Sequence, residues 1–220
     1  MQRMSYDTAY TGAEARERST ARILAQTMFL VAVAIGFLVA GTAIGRDIDE
    51  STARIFSFVG FGMLVVTWFV GALRYGPVGI GWLCGLSLAI GIGLGPVIGY
   101  LAEVDPGAVT TAAGLTALTV LGMAAVGFVL DKDTVGWMKP LSFVVLGAVA
   151  VSLGGLVFGG LGELSPVISL VILVASALLI LVDFNYIRKH ATEDDVVWLA
   201  TGIFVSIVNI FLSLLNLTGD

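Results

Sequence analysis

The sequence predicts an all-α, polytopic membrane protein with seven transmembrane helices, the last of them central. Of its 220 residues, 58% are hydrophobic and only 12% are charged, and the mean hydropathy is +1.01. A soluble domain carries about twice that share of charge. Several apolar segments reach about 20 residues, enough to cross a hydrocarbon core of roughly 30 Å. Because a backbone in lipid must satisfy its own hydrogen bonds, we expect these segments to be helices.

The predicted spans leave no room for a further folded domain. They cover residues 23–45, 55–73, 78–101, 108–130, 141–160, 166–187 and 196–217. Gly and Pro mark the short connections, as in RYGPVG and EVDPGA. Residues 1–22 are polar and lack an apolar core, which indicates a cytoplasmic tail rather than a cleaved signal peptide.

The distribution of lysine and arginine predicts the orientation. With the N-terminus inside, the outer side holds only two cations, Arg46 and Arg54. The nine on the inner side are Arg3, Arg16, Arg18, Arg22, Arg74, Lys132, Lys139, Arg188 and Lys189. This positive-inside bias predicts a cytoplasmic N-terminus and an external C-terminus.

The chain has one cysteine and one histidine, and their positions exclude several kinds of cofactor and metal site. Cys84 is the only cysteine and lies in a span, and His190, the only histidine, lies in a loop. The chain therefore lacks an intramembrane histidine for haem or for activating a serine, and it lacks a Cys/His set for zinc. We expect neither an enzyme nor a bound cofactor.

The third predicted span has a smooth glycine face. Gly91, Gly95 and Gly99 repeat every four residues, a spacing that lets another helix backbone approach closely. Pro96 removes a backbone hydrogen bond and is expected to bend the helix. A kinked packing seam is one interpretation, and a moving hinge at Gly95 and Pro96 is the other.

The last predicted span carries a polar stripe on one helical face. Its members, at spacings of 3, 4 and 3, are Ser206, Asn209, Ser213 and Asn216. Polar side chains facing lipid are costly, so the stripe is expected to face protein or water. Hydrogen bonds between helices and the lining of a pore are both compatible with it.

Asp183 is the only acidic residue inside a predicted span. A charge at mid-helix costs about 2.5–3.5 kcal/mol on insertion scales, and less near a helix end. Arg188 and Lys189 follow it and are candidates to neutralise it. The other interpretation is that Asp183 senses protons or cations, because carboxylates inside a membrane often mark functional sites.

These segments resemble the Bax inhibitor (transmembrane Bax inhibitor motif, lifeguard-type) family, in its bacterial type. The resemblance is carried by VDFNYIRKHATEDDVVWLATGIFVSIVNIFLSLLNL, by GLSLAIGIGLGP and AGLTAL, and by the loop DKDTVGWMKPLSF. It implies a seven-helix bundle wrapped around the last helix, in the plasma (inner) membrane of a prokaryote. It also implies a pH-sensitive calcium leak, sensed by an aspartate pair on the last two helices and latched by an arginine at the end of the second helix.

The sequence departs from that pattern at the second aspartate, and it also lacks the intramembrane glutamates of some bacterial members. Asp183 matches the first aspartate, Arg74 falls near the latching arginine, and Asn209 matches an asparagine of the last helix, but Ser206 stands where the second aspartate is expected. One carboxylate with a hydroxyl binds Ca²⁺ weakly, so we expect Asp183 to be a weak metal ligand and calcium, as the transported ion, to be poorly selected.

The leading functional hypothesis is a cation (calcium or proton) leak gated at Asp183. The alternative is a non-conducting regulator in the lipid bilayer that binds other membrane proteins, such as a protease complex. A small-solute transporter is a third alternative, without a sequence feature of its own. No basic cluster of nucleic-acid-binding size is present.

Overall fold

The computed structural model describes residues 2–158, 162 and 164–218, without the side chains of residues 2–16 and 156. The side chains of Arg3 and Arg16 in the predicted tail, and residues 159–160 of the predicted fifth span, therefore lie outside it. The described helices are α1 Gln2–Gly45, α2 Glu50–Phe69, α3 Gly76–Val104, α4 Pro106–Val129, α5 Met138–Phe158, α6 Leu164–Lys189 and α7 Val196–Thr218.

All seven helices are long and apolar enough to cross a membrane. The described chain contains no strand, so the predicted all-α class and number of spans are confirmed. The prediction was wrong at the end of the second helix, which stops at Phe69 rather than continuing towards Arg74. Gly71–Arg74 forms a separate 3₁₀ turn. The backbone becomes extended at Val70, and the Arg74 side chain folds back to bind the last carbonyls of α2.

Aspartates begin two of the helices. Asp49 caps α2 by accepting from the Thr52 amide at 2.9 Å, and Asp105 caps α4 by accepting from the Ala108 amide at 2.9 Å. Hydrogen bonds from Ser51 and Thr52 to the Asp49 carboxylate lower its pKa to about 2. Such caps satisfy the free amides of a first helical turn and place short loops between the spans.

α1 and α3 pack with their backbones in close contact. A Cβ atom on Gly91 would collide with the carbonyl oxygen of Leu38, and one on Gly95 would collide with the backbone of Gly45. A Cβ on Gly41 or Gly45 would collide with α3 carbonyls in the same way. The predicted glycine face is therefore confirmed as a packing face, and α1 supplies a matching glycine pair four residues apart.

α7 is the most buried helix of the bundle. It packs against α6, α1 and α4, and more lightly against α3. Leu199, Ala200, Ile203, Phe204 and Ile210 are fully buried in the main apolar core. α2 packs on α3, and α5 packs on α6, so none of the described helices covers the side of α7 between α2 and α5.

Side chains of α6 hold the carboxyl end of α4. Asn185, fully buried, donates to the carbonyls of Gly127 (3.1 Å) and Leu130 (2.9 Å). Its oxygen accepts from the amide and hydroxyl of Thr134 at 3.2 and 3.1 Å. One amide thus satisfies both the free carbonyls of a helix end and the loop that follows it, which anchors the α4–α5 connection.

The same connection is charged at its surface. His190 Nε2 lies 2.6 Å from Asp133 Oδ2. The backbone N–H of Val135 and the His190 side chain lower the pKa of Asp133. Its carboxylate therefore contributes to the fold at neutral pH, and that contribution is lost only in acid, as Asp133 becomes protonated.

We expect Gly91→Ala to destabilise the bundle by about 1–3 kcal/mol, because the added methyl group forces two backbones apart. Gly114→Ala is the matched control, since nothing lies within 4 Å of a Cβ at Gly114. The control should leave stability unchanged or raise it by about 0.5–1 kcal/mol through helix propensity. Thermal unfolding in detergent measures both, and equal midpoints would contradict the close contact.

We expect Asn185→Ala to destabilise the protein by about 1–3 kcal/mol for each group that it leaves without a partner. Lys132→Ala, in the same loop, should have no effect. Limited proteolysis of the α4–α5 connection, together with the unfolding midpoint, measures the change. If the alanine variant is as resistant as the control, the amide does not anchor this loop.

Candidate functional site

A cavity of about 300 Å³ opens on the uncovered side of α7. α2 and α5 form its walls, and α6 and α7 form its floor. It lies towards the end of the bundle that carries Arg74 and Lys139, called here the cation-rich end. The polar side chains that line it are Thr67, Arg74, Lys139, Ser142, Asp183, Thr201, Ser206 and Asn209.

The walls of this cavity touch each other only at one edge. The rings of Trp68 on α2 and Phe143 on α5 lie 5.1 Å apart between centroids, and few other contacts join the two helices.

Three of the hydroxyls that line the cavity already have hydrogen-bond partners. Ser142 and Thr201 donate to their own helices, and Thr67 also accepts from Trp82 Nε1 at 2.9 Å.

Asp183 lies on the floor, where it is 3% exposed. Its Oδ2 is 3.6 Å from the position that a Cβ atom would take on Gly202 of α7. No hydrogen bond or ion pair to this carboxyl is formed by the residues that the structure describes. A buried carboxyl group normally has such partners, so its environment is unusual for a structural residue.

The two cations that follow Asp183 do not neutralise it. Arg188 donates to the carbonyl of Phe128 at 2.6 Å and pairs with Asp131 at 3.1 Å. Lys189 donates to the carbonyl of Asp131. Both point away towards the end of α4, because positions five and six residues after Asp183 lie about 120–140° around the helix from it. The interpretation of a local ion pair was wrong.

Arg74 lines the same cavity but binds elsewhere. Its Nε donates to the carbonyl of Thr67 at 2.8 Å, and an Nη donates to the carbonyl of Trp68 at 2.5 Å. These carbonyls end α2, so the guanidinium acts as a helix cap. Within the described chain it forms no ion pair with Asp183; the latch implied by the resemblance is not formed in this structure.

Ser206 and Asn209 reach the cavity from α7, with exposed fractions of 2% and 9%. Neither makes a hydrogen bond to another described residue, and Asn209 Nδ2 is fully shielded. The structure thus brings Asp183, Ser206, Asn209 and Arg74 to one cavity. What these residues do there remains a prediction.

The other sequence candidates lie away from the cavity. Ser213 is buried on α7, and Asn216 binds the hydroxyls of Ser169 at 2.9 Å and Ser165 at 3.2 Å. At one end the stripe forms hydrogen bonds between helices, and at the other Ser206 and Asn209 line the cavity. The pore stays a prediction. Gly95 and Pro96 lie inside the unbroken α3. The close contact of Gly95 with α1 supports a packing seam, and the hinge stays a prediction.

Several residues of this region were not predicted from the sequence. Lys139 and Ser142 complete the cavity from α5, and Asn185 anchors the adjoining loop. Ser176 on α6 is fully buried without a hydrogen-bond partner. Its spacing of seven residues from both Ser169 and Asp183 was the available signal. No group of three His, Cys, Asp or Glu side chains suited to a metal occurs in the described part of the chain.

Several bacterial proteins are similar to this chain over most of its length. A bacterial relative with the name modulator of FtsH protease YccA, from Escherichia coli (strain K12), is 29% identical over 207 residues, covering 91% of each chain. An uncharacterised protein of Pseudomonas aeruginosa is 29% identical over 226 residues, covering all of this chain and 97% of its own. One from Neisseria meningitidis is 29% identical over 170 residues, covering 73% of each.

A family model gives the broadest match. The model described as inhibitor of apoptosis-promoting Bax1 matches residues 17–220, which include all seven spans. Together with the seven-helix architecture, this match shows that the chain belongs to the Bax inhibitor family of membrane proteins.

Proposed function

We propose that the protein is a cation or proton leak of a prokaryotic inner membrane, gated at Asp183. The observation that carries this proposal is the Asp183 carboxyl, 3% exposed and without a partner in the described chain, on the floor of a cavity. An ionised carboxylate in that position requires a cation, water or a proton. Its charge is therefore coupled to whatever enters the cavity.

The proposed gate uses the two cations that line the cavity, Arg74 and Lys139. For Arg74 to pair with an ionised Asp183, its guanidinium has to leave the carbonyls of Thr67 and Trp68. That movement frees the end of α2, which forms one wall. A change of one charge at Asp183 would thus alter the position of a wall that is held weakly against α5.

The donor set favours a proton or a monovalent cation over calcium. Ca²⁺ takes 6–8 oxygen ligands, usually with more than one carboxylate. The cavity offers one carboxylate, at Asp183, with the Ser206 hydroxyl and the Asn209 amide oxygen as neutral donors. In this proposal calcium is at most a transported ion, which Asp183 binds weakly. No enzymatic step and no resident cofactor form part of the proposal.

A second candidate function rests on the likeness to the modulator of FtsH protease over 91% of both chains. In this alternative the protein is a non-conducting regulator that binds a membrane-anchored protease, and Asp183 serves the fold alone. Absence of flux from vesicles that contain the wild-type protein, together with co-purification of an FtsH-type protease from native membranes, would favour it over the leak.

Asp183→Asn should abolish the pH dependence of flux, because the amide cannot gain or lose the proton. We expect the wild type to change its flux several-fold in a single step about two pH units wide. Ser142→Ala is the matched control, since its hydroxyl lines the cavity but bonds to its own helix. Proton and potassium flux in reconstituted vesicles measures the three proteins. If Asp183→Asn follows the wild type at every pH, Asp183 is not the sensor.

Ser206→Asp should raise the affinity for calcium at least tenfold, because it supplies a second carboxylate to the same cavity. Its pH response should also broaden into two coupled steps. Ser206→Ala, which removes the hydroxyl without adding an acid, should not gain calcium affinity. Calcium uptake into vesicles across a range of calcium concentrations distinguishes them, and an unchanged affinity in Ser206→Asp would remove Ser206 from the site.

The orientation stays a prediction, with the N-terminus cytoplasmic and the C-terminus outside. The nine-to-two distribution of cations supports it. Reporter fusions placed in the loop after His190 and after Asp220 should report opposite sides of the membrane. If both report the same side, α7 does not cross in the proposed direction.

A further inference from the structure

Two polar groups lie buried between α6 and α7 without a hydrogen-bond partner among the described residues. They are Ser176 Oγ on α6, with an exposed fraction of 0%, and Asn209 Nδ2 on α7, where the residue is 9% exposed. Buried polar groups in proteins are nearly always paired with protein or with ordered water. Because these two groups are unpaired and lie in adjacent helices, they form a candidate binding site for a small polar molecule.

The register of the two helices places these groups at the same level. α6 and α7 are antiparallel neighbours, joined by a short loop. Asp183 Oδ2 lies against Gly202, and Ser169 binds Asn216 at 2.9 Å. Ser176 lies seven residues from both α6 positions, and Asn209 lies seven residues from both α7 positions. Seven residues are almost two helical turns, so Ser176 and Asn209 lie on the facing sides, midway between the two known contacts.

The seam between α6 and α7 therefore carries polar groups at three successive levels. The first is Asp183 at Gly202, next to the cavity. The second is Ser176 at Asn209, and the third is Asn216 with Ser169 and Ser165, called here the far polar cluster. Asp183 and Ser169 are fourteen residues apart, or about 21 Å along a helix. That distance is most of the roughly 30 Å hydrocarbon core.

A water molecule can supply the hydrogen bonds that Ser176 and Asn209 do not form with the described residues. A serine hydroxyl donates and accepts, and the Asn209 amide donates through Nδ2. A buried water molecule typically makes about three hydrogen bonds to otherwise unpaired polar groups. Asn209 also lines the cavity, so such water would be continuous with the space around Asp183.

We propose that Ser176 and Asn209 bind water in the seam between α6 and α7, and that this water links the Asp183 cavity to the far polar cluster. The link rests on the proposed leak function, because its role is to extend the conduction path across the membrane. The water site itself does not require flux, so the two ideas fail separately.

The first experiment measures water directly, with silver ions as a small, hydrated thiol reagent. Cys84→Ala removes the native thiol, and Ser176→Cys is introduced into that background in reconstituted vesicles. The matched control is Ala200→Cys on α7, which is 0% exposed in the apolar core. After the silver treatment, the protein is unfolded and the remaining free thiols are counted with a maleimide. Ser176→Cys should react at least tenfold faster than Ala200→Cys, and equal rates would overturn the water site.

The second experiment tests the link. Ser176→Ala removes the hydroxyl, and Thr27→Val is its matched control. Thr27 Oγ1 is a buried hydroxyl of α1 that likewise has no partner within the described chain, and it lies outside the seam. We expect several-fold lower flux in Ser176→Ala and wild-type flux in Thr27→Val. If the wild type conducts and Ser176→Ala conducts equally well, the link is wrong. If the wild type does not conduct, the leak function fails, and the silver rates alone decide the water site.

Discussion

A carboxyl group without a protein partner, in the interior of a helix bundle, is the feature on which the functional site depends. α6 brings Asp183 there, and its neighbours on that helix, Val182 and Phe184, are apolar and buried. Its charge cannot be satisfied by Arg188 or Lys189, because both are engaged at the end of α4. The cavity beside α7 is the remaining place from which water or a cation can reach it.

The rest of the bundle keeps that cavity open. Close glycine contacts join α1 to α3, and α3 in turn holds α2. On the other side, Asn185 and Arg188 tie α4 and its loop to α6, which holds α5. The helices thus form two packed groups around α7, and the walls α2 and α5 meet only lightly between them. A weak junction over a buried carboxyl group suits the gate proposed above, since a change of charge at Asp183 would then alter the contact.

Regular patterns in the sequence predicted most of the fold. The seven apolar segments, the four-residue glycine repeat and the polar face of α7 follow from periodicities that a helix imposes. The cavity residues Asp183, Ser206, Asn209 and Arg74 were predicted through a family resemblance, and the structure brings them together. Their roles are a matter for experiment.

The features that escaped prediction depend on tertiary contacts. The end of α2 depends on the hydrogen bond that the Arg74 side chain donates to the Thr67 carbonyl, and no local sequence pattern predicts that bond. Asn185 resembles an ordinary polar residue near a helix end, and its importance comes from carbonyls of another helix. Ser176 is a small side chain among apolar ones. It gains meaning only when the register of α6 against α7 places it opposite Asn209.

The central claim is that the charge on Asp183 responds to conditions in the cavity. Infrared difference spectroscopy of the reconstituted protein, stepped between acid and alkaline buffer, measures this response through the carbonyl stretch of a protonated carboxyl group. The account predicts a buried carboxyl band that appears and disappears reversibly in one step and is absent from Asp183→Asn. A wild-type spectrum without such a band, or the same band in the variant, would contradict it.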